Sequence, residues 1–149
     1  MKTITYSISV TIECPVERAA ALFVDRAHMA RWELGLLAIE DGVGRLFEDG
    51  SRGRLVFAVP NGKMLMDVAV IKQALPEEIT LEYRVSGVVN RCHNTFVYSE
   101  KGTVWTMESR FDFAEEIDIS RDRFIAKTTA SMNLFKQFAE EDHSKSNSL

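Results

Sequence analysis

Alternation of apolar and polar residues with a period of two runs through most of this chain. In Thr3 to Glu13, Ile4, Tyr6, Ile8, Val10 and Ile12 share one face while Thr5, Ser7, Ser9, Thr11 and Glu13 share the other. That period belongs to a strand with one dry face. It returns in Ser51 to Val59 and in Lys63 to Gln73, where Met64, Met66, Val68 and Val70 point one way. Ile79, Leu81, Tyr83 and Val85 repeat it, and so do Val89 to Ser99 and Thr103 to Phe113. Turn residues stand between these runs: Pro60-Asn61-Gly62, Leu75-Pro76-Glu77-Glu78 and Glu100-Lys101-Gly102. Short connections between successive strands make an antiparallel sheet. Such a sheet has one apolar face that must be covered.

Two other signals are helical. Cys14-Pro15-Val16-Glu17 opens a helix, with Pro15 at its first position and Glu17 favoured by the helix dipole. A second short helix is expected over Ala27 to Trp32, ending near Gly35, followed by a short strand from Leu36 to Glu40. The C-terminal segment reads as one long helix from Ser120, a plausible N-cap, to Glu141. In it Phe124, Thr128, Ser131, Phe135 and Phe138 recur at helical spacing. This is the one long amphipathic element left to cover the sheet. The fold class is therefore α+β: a curved seven-stranded antiparallel sheet, two short helices and one long C-terminal helix. A single domain over residues 1–142 and a disordered tail over 143–149 are expected.

Composition narrows the function. Apolar residues make up 46% and charged residues 27% of 149 positions, as in an ordinary globular chain. The net charge of −4 and the scattered Lys and Arg argue against nucleic acid as a partner. No apolar run approaches a membrane span, so stable membrane insertion is not expected. The first residues lack the apolar core of a signal peptide, and the two cysteines, Cys14 and Cys92, lack metal or redox spacing. Both point to reduced thiols and a cytoplasmic location, a single disulfide in an exported chain being the alternative. His28, His93 and His143 have no metal-ligand spacing, so no metal is expected. No cofactor is expected either, because neither a nucleophile elbow nor a phosphate-binding glycine loop occurs.

The order of elements resembles the START-like, or SRPBCC, superfamily, whose helix-grip fold is also called Bet v 1-like. The likeness rests on Glu13-Cys14-Pro15-Val16-Glu17-Arg18-Ala19 with Ala20-Ala21-Leu22-Phe23, and on Asp25 to Trp32 with the Trp at the end. Gly50-Ser51, the Leu75-Pro76 turn and Gly102-Thr103 extend it. The similarity runs from about Thr3 to Glu141 and is strongest toward the polyketide cyclase/dehydrase-like branch. It implies an internal cavity between sheet and helix that takes a small hydrophobic ligand, lipid-like, polyketide-like or aromatic. The same cavity in a cyclase or dehydrase would direct proton transfer. A chaperone-activator-like interaction module is a third reading, and it needs an exposed apolar patch.

The candidate lining follows from the inward pattern. Met64, Met66, Met107 and Met132 supply adaptable side chains, and Tyr83, Trp105, Phe111, Phe124 and Phe135 supply flat walls. Thr128 and Ser131 leave room beneath the helix. Each of these residues also suits a plain packed core. If Phe96 and Tyr98 face inward, alternation brings Asn90, Cys92 and Asn94 to the same side. There the amides either bond neighbouring backbone or orient a ligand's polar end. A shift of one residue would turn Arg91, His93 and Thr95 inward instead. Cys92 and His93 fall on opposite faces and form no thiolate–imidazole pair. Edge strands of such sheets can pair, which leaves a homodimer open.

Overall fold

The computed structural model describes residues 2–147. Strand β1 spans Lys2–Ile12 and leads into helix α1, Val16–Phe23. A 3-10 turn, Met29–Arg31, precedes strands β2 (Leu36–Val43), β3 (Arg52–Val59) and β4 (Gly62–Ala74). Strands β5 (Glu78–Val85), β6 (Val88–Ser99) and β7 (Gly102–Phe113) follow, and helix α2 spans Arg121–Asn147. The seven strands form one antiparallel sheet in the order β1-β7-β6-β5-β4-β3-β2, with β1 and β2 at the edges.

Three boundaries differ from the sequence reading. The second short helix is only a 3-10 turn, because the segment from Asp25 to Glu33 is spent in tight turns closed by Asp25, His28 and Met29 carbonyls. Strand β2 runs on through Asp41-Gly42-Val43 by way of register shifts, although those residues are turn formers. Helix α2 continues to Asn147, so 143–147 are helical; Ser148 and Leu149 of the expected tail lie outside the described residues. Salt bridges from Arg18 to Asp142 (2.8 Å) and from Lys136 to Glu140 (2.7 Å) tie its last turns to β1, α1 and one another.

Registers across the sheet fix which side chains share a row. One inward row reads Ile4, Phe111, Asn90, Tyr83, Val68, and the next reads Tyr6, Ser109, Cys92, Leu81, Val70. A bulge at Ile71 then shifts β4 by one position. The outward rows carry charge: Arg54 pairs with Asp67 at 3.1 Å, and Glu82 with Arg84 and Arg91 at 2.8 and 2.6 Å.

The apolar interior is divided. The larger cluster joins α1, the 3-10 turn and the C-terminal half of α2 to the sheet, through Phe23, Trp32, Phe96, Trp105, Met132 and Phe135. Phe135 meets Trp32 and Trp105 edge-on at 4.8 and 5.2 Å between ring centroids. The smaller cluster gathers Ile4, Tyr6 and Phe113 with Phe111, Phe124 and Ile125 at the start of α2.

Candidate functional site

A belt of polar side chains lies across the inner face of the sheet, near the divide between the two clusters. The Tyr6 and Thr128 hydroxyls are 2.6 Å apart and join β1 to α2. The Asn90 amide donates to Ser109 Oγ at 2.9 Å and to the Arg110 carbonyl at 3.1 Å. Cys92 Sγ donates to Asn90 Oδ1 at 3.2 Å. The residues lie in adjacent inward rows of β7 and β6, so the bonds follow from strand register.

The expected register of β6 holds. Cys92, Asn94 and Phe96 are buried, whereas His93 lies on the opposite face beside Glu108 at 3.3 Å. Tyr98 departs from it. Its row partners Thr103 and Ile12 are fully buried, yet its own ring is 77% exposed beside the β6–β7 turn.

The predicted site residues separate into two groups. Asn94, Phe96, Trp105 and Phe135 are closed inside the larger cluster and present no surface to a guest. Asn94 is fully buried, accepts from Trp105 Nε1 at 3.0 Å and donates to the Ile79 carbonyl at 3.4 Å. Its carbonyl oxygen thus holds the indole in place while its amide bonds neighbouring backbone, the first of the two arrangements expected of the inward amides. Cys92 is also buried and bonded. The second group keeps accessible surface although the residues lie on the sheet's inner face or on α2: Met64, Met66, Tyr83, Asn90, Met107, Phe124 and Thr128 are all half-buried. Ser131, on the flank of α2, is exposed.

Sequence reasoning missed Glu33. It follows the 3-10 turn, and its amide donates to the Met29 carbonyl at 2.9 Å. Burial drives the Glu33 carboxyl up to about 7, with no cation near enough to offset it. Its charge adds slightly to the upward shifts of Tyr83 on β5 and Cys92 on β6. Tyr83 is held well above its ordinary pKa by burial first, then by Cys92 and Glu33. Burial likewise pushes Cys92 to about 11 against the bonds from Ser109 and Asn90. Protein atoms surround Glu33 and Tyr83 densely, yet both are half-buried rather than sealed. Among the described residues, neither the Glu33 carboxyl nor the Tyr83 hydroxyl has a side-chain hydrogen-bond partner. These are accessible, poorly solvated polar groups with unused bonding capacity, the arrangement that marks functional sites.

Surface depressions lie elsewhere. One, of about 460 Å³, runs over β2 to β5 and is lined by Glu40, Arg54, Asp67, Glu82 and Arg84. Its charges largely neutralise one another in exposed pairs, which gives it little to offer a ligand. Another, of about 680 Å³, lies between the β1–α1 junction and the β6–β7 turn. Neither contains a residue of the half-buried inward group.

No protein-family profile matches the sequence, and no curated protein matches it. Solved structures do. An uncharacterised protein from Rhizobium leguminosarum superposes with a TM-score of 0.78 at 15% identity, covering 94% of this chain and 96% of that one. Ara h 8.0201 gives a TM-score of 0.76 at 8% identity over 93% and 98% of the two chains. The di-domain ARO/CYC protein StfQ of the steffimycin biosynthetic pathway gives 0.74 at 11% identity, over 94% of this chain and 51% of that one. At such identities the likeness is one of architecture. A seven-stranded antiparallel sheet gripping a long C-terminal helix is shared with Ara h 8.0201 and StfQ, and this architecture is the helix-grip, or Bet v 1-like, fold.

Proposed function

We propose that this protein binds a small, mostly apolar molecule in a hollow between the sheet and α2. The observation that carries the reading is the position of Glu33 and Tyr83, which are surrounded by protein yet accessible and unengaged. An enclosed hollow accounts for both properties at once. Met64, Met66, Met107 and Phe124 supply apolar, adaptable walls. Glu33, Tyr83 and Asn90 supply the few polar groups that orient a guest, with Thr128 and Ser131 near the helix flank. Unpaired Cys14 and Cys92 support a reducing, cytoplasmic setting.

Native mass spectrometry of protein purified from its own host tests this. A reproducible small-molecule adduct, lost on denaturation, is the expected result, with a thermal shift when the extracted molecule is added back. A bare protein mass, with no stabilisation by any apolar compound across a broad panel, would overturn it.

A second reading, a cyclase- or dehydrase-like enzyme, draws support from one observation. A carboxyl that titrates near 7 is matched to proton transfer at neutral pH. Turnover of a poly-β-carbonyl chain that disappears in Glu33→Gln would support it. Ligand binding without turnover would leave the protein a carrier.

A further inference from the structure

The outward face of β2 to β5 is built in rows. Across the four strands the registers align Glu40, Arg54, Asp67 and Arg84, so the sign of the charge alternates from strand to strand. One step toward the β3–β4 turn, Ala38, Val56 and Leu65 make an apolar row on the same face. Leu65 is 50% exposed, and Leu37, in the neighbouring bulge, is 56% exposed. One step the other way stand Arg52, Ala69 and Glu82. Ala69 is small, and the depression of about 460 Å³ opens there, with the Glu40, Asp67 and Glu82 carboxylates among its walls. Among the described residues, neither Glu40 nor Arg52 makes an ion pair within the chain.

We propose that this outward face is an interface between two copies of the chain, an isologous dimer whose two-fold axis runs along the strands between β3 and β4. Rotation about that axis lays the charge row on itself reversed. Arg54 then faces the partner's Asp67, and Glu40 faces the partner's Arg84. The same rotation sets Leu65 on the partner's Val56 and Arg52 over the partner's Ala69, where the depression receives a guanidinium among carboxylates. An axis along the charge row would instead set Arg54 on Arg54 and Asp67 on Asp67. The apolar row supplies the cohesion, because monomers seldom leave such rows uncovered. The charges fix the orientation and add little energy at an exposed rim. Two sheets stacked in this way keep their strands near alignment. The interface lies on the opposite side of the sheet from α2, so it stands or falls apart from the ligand reading.

Sedimentation equilibrium of the full-length protein from about 5 to 500 µM tests this, with a dissociation constant on the order of 10–100 µM expected for so small a face. Added salt should weaken the association. Leu65→Ser should weaken it about tenfold or more. Arg54→Glu and Asp67→Arg should each be monomeric alone, because each sets like charges across the axis. Mixed in equal amounts, the two variants should dimerise, since every contact in the row is then between opposite charges. The double variant Arg54→Glu/Asp67→Arg should dimerise for the same reason. A parent chain that stays monomeric throughout, or that forms a complex whose mass is not twice its own, would overturn the proposal. So would a dimer that keeps its affinity in Leu65→Ser, or single variants that remain apart when mixed.

Discussion

Trp105 Nε1 donates to Asn94 Oδ1 at 3.0 Å in a fully buried contact between β7 and β6. The indole also stacks on Phe96 and meets Phe23 and Phe135 edge-on, so this one bond orients the ring on which three other aromatic side chains pack. Asn94→Ala removes the acceptor and strands the indole N–H inside the core. It should cost about 2–3 kcal/mol, a lost bond plus a desolvated donor, read as a lower urea midpoint with an unchanged slope.

The Tyr6–Thr128 contact at 2.6 Å is the side-chain bond that fastens β1 to the middle of α2. Tyr6→Phe and Thr128→Val should each cost about 1 kcal/mol. The double variant should cost less than their sum, because no polar partner is then left unpaired. Additive losses in a double-mutant cycle would show that the two hydroxyls do not interact in solution.

Stability should fall as pH rises through neutrality. The Glu33 carboxyl lies at about 7 in the fold against an ordinary 4.5, so between these values the folded chain binds more protons than the unfolded one. By linkage its contribution is intact below about pH 4.5 and is lost as pH rises through about 7. Glu33→Gln should flatten this dependence and be more stable than the parent at pH 8 by about 1–3 kcal/mol. Denaturant titrations at pH 5, 6, 7 and 8 check it. An unchanged slope in the variant would place the carboxyl in water.

Both thiols should be sluggish. Burial raises Cys14 and Cys92 to about 11, with Glu140 and Asp142 adding to the effect at Cys14. Little thiolate exists at pH 8. Reaction with a disulfide reagent should proceed only as the chain unfolds, and two equivalents per chain should react promptly in urea.

The sheet and its covering helix are readable in the sequence because they arise from local periodicities. The alternation from Asn90 to Phe96 selects the inward residues correctly, since one buried face leaves a single tolerable register. Tyr98 breaks the pattern although Thr103 and Ile12 in its row are fully buried, because alternation says which face a residue takes, not whether that position of the strand is covered. The same limit explains Asn94. Its inward position follows from the pattern, but its partner, Trp105, is known only once β6 and β7 are paired. Glu33 carries no local signal at all. A lone carboxylate after a Trp at the end of a tight turn looks like surface, and its burial is set by tertiary packing that no local pattern records. The period of α2 shows which residues it buries, but its end at Asn147 depends on neighbours such as Arg18 that hold its polar last turns.

The two apolar clusters give the ends of α2 unequal moorings. Met132, Phe135, Phe138 and Ala139 are sunk in the larger cluster, while the first turns lean on the smaller one through Phe124 and Ile125. Local opening starts where fewest apolar neighbours must be given up. Amide exchange should therefore be faster in the first ten residues of α2 than in the ten that follow Ser131, and lifting those first turns would admit a guest while the rest of the molecule stays shut.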